Sequence, residues 1–91
     1  MLRLLWGAEA LADLERIVGY VADRNLDAAK RLQDAVEHTA EQLPNHLCLY
    51  RPGRVAGTRE AVVHPNYILV YRVGSDAIDV LAIVHARQQY P

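Results

Sequence analysis

The chain is 91 residues long, 52% hydrophobic and 23% charged, with a formal net charge of −1 at pH 7. A single domain over residues 1–91 buries about 60 to 65% of the surface its unfolded chain would expose, so it sits near the lower end of independent stability and a stabilising partner matters. Low-complexity disorder, internal repeats and a bilayer-spanning apolar stretch are all excluded, and the chain reads as one globular unit with no membrane role.

The apolar run at 2–6 is too short, and too soon followed by Glu9 and Asp13, to be a secretory signal, which predicts a cytoplasmic protein. The single cysteine, Cys48, has no internal disulfide partner, which fits a reducing compartment. Charge is divided unevenly. Residues 1–43 carry five basic and eight acidic side chains, whereas residues 44–91 carry five arginines against Glu60, Asp76 and Asp79. The second half is therefore +2 with no lysine, and its cations are all guanidinium forks suited to carboxylate or phosphate. That surplus is too small for a protein that holds nucleic acid by neutralising phosphates, so direct specific DNA binding by this chain is not expected and an acidic peptide is an equally natural partner.

In chain order, residues 2–6 fit a first strand. Gly7 serves as a helix cap, Glu9 lies in a first turn that favours an anion, and Leu11, Leu14, Val18 and Val21 recur at steps of three and four, predicting a helix over residues 8–23. Asn25 is an N-cap for a second helix whose stripe runs through Ala28, Leu32, Ala35, Val36, Thr39, Ala40 and Leu43 until Pro44 stops it. The short Arg24-Asn25 link makes the two helices an antiparallel hairpin, with Leu14, Val18, Leu32 and Val36 expected to face a sheet. Residues 44–57, punctuated by Pro44, Pro52, Gly53 and Gly57, read as a loop. Residues 58–63, 67–73 and 77–86 are β-rich and separated by short turn signals, so three strands should meander antiparallel. The expected fold is α+β, ordered β-α-α-β-β-β, with the helical hairpin packed on a mainly antiparallel four-stranded sheet. YILVY at 67–71 and VLAIV at 80–84 are apolar at consecutive positions and hence on both faces, while a helical hairpin covers only one. The other face must be covered by the tail, the long loop or another protein.

Candidate chemistry is sparse. His38, His46, His64 and His85 lack the close spacing of a structural metal site, and no glycine-rich loop resembles a nucleotide-binding motif, so neither metal nor cofactor is expected. Cys48 has no evident base and reads as a loop residue. Arg59, Arg72, His85, Arg87 and Tyr90 are the residue types that phosphodiester cleavage would use, but strand arginines more often pair with neighbours such as Glu60. The terminal "HARQQYP" is either the edge of an active site or a recognition surface.

Trp6 with "EALADLERIVGYVADRN", "AAKRL", "GTREAVVHPNYILVYRV" and the terminal "VLAIVHARQQYP" together resemble the RelE/ParE superfamily of type II toxins over essentially the full length, and the ParE branch more than the RelE branch. The resemblance implies a toxin neutralised in a hetero-oligomer by a cognate antitoxin, ParD-like or similar, whose acidic segment wraps the toxin. In that reading Arg51, Arg54, Arg59 and Arg72 bind antitoxin, while Arg87, Gln88, Gln89 and Tyr90 recognise the target. A ParE-like member poisons DNA gyrase and has no catalytic residues. A RelE-like member would be a ribosome-dependent mRNA endonuclease using Arg59, Arg72, His85 and Tyr90, and a non-toxic antitoxin-binding remnant is the third possibility. One lysine and no basic surplus favour the gyrase reading.

Overall fold

The computed structural model describes residues 2–46 and 50–87. Its elements are β1 (Arg3–Trp6), α1 (Ala8–Ala22), α2 (Leu26–Gln42), a 3-10 turn at Leu43–Asn45, β2 (Arg51–Pro52), β3 (Arg59–His64), β4 (Tyr67–Val73) and β5 (Ala77–His85). Among the described residues no helix is long and apolar enough to cross a membrane.

The strands form one five-stranded sheet in the order β1-β5-β4-β3-β2. β1 pairs with β5 in parallel, which is possible because both helices intervene as a crossover; the other three pairings are antiparallel. The fifth strand departs from the expected four-stranded sheet. β2 lies inside the segment read as loop, and its two residues, one of them Pro52, fall below any sequence signal for a strand. It is tolerated because it forms the sheet edge, where a missing proline N–H leaves no ladder bond unmade.

Helix starts follow local chemistry. Asn25 Oδ1 accepts the Ala28 N–H at 3.0 Å, the N-cap bond its identity predicts. Gly7 caps α1 through backbone alone, because a Cβ there would lie 3.0 Å from the Val80 carbonyl oxygen that the Gly7 N–H itself contacts at 2.9 Å. The close approach of this turn to β5 is thus what requires glycine.

The main core lies between the hairpin and one face of the sheet. It is built from Ala10, Ile17, Leu32, Val36, Ala40 and Leu43 against Ala61, Leu69, Tyr71, Ile78, Val80 and Ile83. Leu32 and Val36 are buried as expected, but α1 is rotated from the expected phase. Its inward residues are Ala10, Leu14, Ile17 and Val21, whereas Leu11 is 51% exposed and Val18 only half-buried. Two apolar stripes overlap on this helix and share Leu14 and Val21; of the expected one only Leu11 turns to solvent, while Ala10 and Ile17 take the buried positions. On α2, Ala29 is buried, with Ala28 half-buried.

The opposite face of the sheet is apolar too. Ile68, Val70 and Val84 form a second cluster with Leu81, Ala82 and Ala86, as the consecutive apolar residues required. A bulge helps: Val70 is opposite Ala82 and Tyr71 opposite Val80, which leaves Leu81 as an extra residue beside the second cluster.

Candidate functional site

Strand register decides which candidate side chains can meet. Arg59 sits opposite Tyr71 on the helix side of the sheet and donates from its guanidinium to the Tyr50 carbonyl at 2.9 Å, while the Tyr50 ring meets Tyr71 edge-on at 6.3 Å. His85 is opposite Tyr67 on the same side but at the other end of β4. Tyr67 and Tyr71 are four residue steps apart on β4, which sets His85 and Arg59 about 13 Å apart along the strands. Arg72, one residue beyond Tyr71, points to the opposite face, where Asp79 lies across from it. Arg59, Arg72 and His85 therefore do not converge, and Tyr90 lies outside the described residues.

Two of the remaining second-half arginines are already engaged. Glu60 is buried at 3% exposure on the face away from the helices, opposite Val70. Its Oε1 accepts from Arg51 at 2.9 and 3.0 Å, and its Oε2 accepts the Arg54 N–H at 3.3 Å with the Arg54 guanidinium 3.8 Å away. A buried carboxylate must be paired, so these arginines hold β2 and the loop after it against β3. Arg72, by contrast, is exposed and makes no ion pair among the described residues, beside the Val70 end of the apolar cluster. Arg87 is also exposed, its backbone N–H donating to His85 Nδ1 at 3.1 Å. Gln88, Gln89 and Tyr90 lie outside the described residues, as does Cys48. Among the described residues no group of three or more His, Cys, Asp or Glu could hold a metal ion.

Sequence reasoning missed a pocket at the open end of the sheet. Arg16, Ile17 and Tyr20 of α1 face Tyr67 of β4 and Ile83 and His85 of β5 across a cavity of about 290 Å³. Asp13 organises its rim: Oδ2 accepts the Ile83 N–H at 3.0 Å and Oδ1 accepts from Arg16 at 2.9 Å. The pocket's lining comes from residues 16–20 and 67–85, so no local sequence signal marks it. A separate groove of about 350 Å³ runs between the helices, lined by Leu14, Glu15, Val18, Gly19 and Gln33.

Comparison with known proteins places this geometry in context. The family described as "ParE toxin of type II toxin-antitoxin system, parDE" matches residues 4–90. The chain is 34% identical over 90 residues to Y4kP, a candidate toxin of Sinorhizobium fredii, covering 98% of this chain and 93% of that one. It is 32% identical over 88 residues to the toxin RelE2 of Caulobacter vibrioides, covering 94% and 97%. Among solved structures, a chain of the chromosomal ParDE system of P. aeruginosa superposes with a TM-score of 0.83 at 22% identity, covering 93% of this chain and 96% of that one, a likeness of fold.

Proposed function

The chain belongs to the ParE toxin family of type II toxin-antitoxin systems, and from that membership we propose that it binds DNA gyrase, turns it into a source of DNA breaks, and is held inactive by a cognate antitoxin. The observation that carries the choice of target is the dispersal of Arg59, Arg72 and His85. Cleaving a phosphodiester needs guanidinium groups and an acid–base pair around one phosphate. Here the two arginines lie on opposite faces of the sheet, and the histidine is a strand length away from Arg59. A net charge of −1 with one lysine also suits a protein target better than a polyanion.

In this reading the antitoxin covers the sheet face away from the helices. That face joins an apolar cluster, with Val62 exposed at 56% beside it, to the exposed Arg72, and so fits a segment that is both apolar and acidic. Arg51 and Arg54 contribute there while still held by Glu60. Arg59 contributes from the other side through the groove it lines with Pro52, Gly57, Thr58 and Val73. Arg87 and the residues after it supply target recognition.

The endonuclease alternative draws on the relative named RelE2. Induction in cells separates the two. The gyrase reading expects filamentation, an SOS response and gyrase-dependent breaks, with no new ends in primer extension on abundant transcripts; messages cut at ribosomal A sites would replace it with the endonuclease.

A further inference from the structure

The pocket between α1 and the open end of β4–β5 has no part in gyrase or antitoxin binding as proposed above, yet it gathers the most chemically specific side chains of the described chain. Two phenols, Tyr20 and Tyr67, and the His85 imidazole supply ring surfaces, Ile17 and Ile83 an apolar floor, and Arg16 a cation. From these residues we propose that the pocket is a binding site for a small planar ring bearing a phosphate or carboxylate, of about the size of a nucleoside monophosphate.

The walls are held in place before any ligand arrives. The Tyr67 ring lies between two imidazoles, His64 at 5.6 Å and His85 at 5.5 Å between centroids. Both imidazoles are themselves fixed, His64 Nδ1 by the Asn66 N–H and His85 Nδ1 by the Arg87 N–H, each at 3.1 Å. Tyr20 is held from outside by Arg24, whose guanidinium carbon lies 3.8 Å from the ring centroid. Asp13 fixes Arg16 while accepting the backbone N–H of Ile83, so the cation is anchored to both walls. One guanidinium nitrogen is spent on Asp13, and the rest of the fork remains to meet an anion. Side chains pre-set in this way lose little freedom when a ligand binds.

Size limits the occupant. A cavity of about 290 Å³ is at the low end of small-molecule sites, near 300 Å³, which admits one ring system with one anionic group and excludes a dinucleotide. Aromatic walls favour a planar ring by stacking, and the Arg16 guanidinium favours phosphate or carboxylate over a neutral substituent.

The test is isothermal titration of the full chain with adenosine 5′-monophosphate, adenosine, inorganic phosphate and indole-3-acetate. Saturable one-to-one binding of the nucleotide or of indole-3-acetate is expected, with adenosine and phosphate at least about tenfold weaker than the better of the two. Which of the two binds tighter identifies phosphate or carboxylate as the anion. Arg16→Ala should bring the anionic ligand to the level of its neutral counterpart, and Tyr20→Ala, at an exposed position, should weaken it without unfolding the chain. Arg72→Ala, on the other face, should leave it unchanged. Absence of saturable binding to either ring-bearing anion, phosphate binding as tightly as the nucleotide, or equal loss in Arg72→Ala would overturn the proposal.

Discussion

Asp13 and Ile83, seventy residues apart in sequence, are joined by a 3.0 Å hydrogen bond from the Ile83 N–H to Asp13 Oδ2. β1 ends at Trp6, paired with Val80, so the rest of β5 has no strand on that side. Asp13 takes the place of the missing strand and satisfies an N–H that the edge would otherwise present to other chains. Asp13→Ala should lower unfolding free energy by about 1.5 to 3 kcal/mol, the range for a hydrogen bond to a charged group. Asp13→Asn should keep part of it because the amide oxygen still accepts. Arg16→Ala should cost no more than about 1 kcal/mol, because its side chain is 67% exposed. Urea denaturation of the three variants checks the order.

The phase of the helical hairpin gives a second test. Leu32→Ala should cost about 2 to 5 kcal/mol as a buried leucine truncation, and Leu11→Ala, although it removes the same side chain, should stay within about 0.5 kcal/mol. Equal losses would mean that α1 is rotated toward the stripe drawn through Leu11, Leu14, Val18 and Val21.

The arginines of the second half should divide into two behaviours. Arg51→Ala strips a partner from buried Glu60 and should destabilise by about 1 to 3 kcal/mol. Arg72→Ala should leave stability within about 0.5 kcal/mol yet weaken binding of the antitoxin's acidic segment. Melting curves with and without that peptide measure both effects, and an Arg72→Ala chain that binds with full affinity would remove this face from the antitoxin interface.

These two behaviours also mark how far the sequence could be read. The helices, β3 to β5 and their turns were legible because 3.6-residue and 2-residue periodicities, the Asn25 cap and the turn residues all agree locally. The phase of α1 was not, because Ala10 and Ile17 form a stripe as regular as the leucine one and only packing against β5 chooses between them. β2 was not, because two residues have no period. The engagement of Arg51 and Arg54 by Glu60, and the separation of Arg59 from Arg72 onto opposite faces, depend on cross-strand register, which a single sequence specifies only weakly. The Arg16 pocket joins residues far apart in the chain, so only the fold could reveal it.

Removal of residues 87–91 addresses the recognition role proposed for the tail. The shortened chain should keep its circular dichroism spectrum and its antitoxin complex, because a terminal segment contributes few buried contacts, and should lose toxicity. A folded, fully toxic truncation would move target recognition elsewhere on the surface.

The most direct test of the central claim is a reconstituted gyrase supercoiling assay with purified chain. The gyrase reading predicts dose-dependent inhibition with accumulation of cleaved plasmid, relieved by the cognate antitoxin. Unimpaired supercoiling at saturating chain, alongside cleavage of ribosome-bound messages by the same preparation, would contradict it.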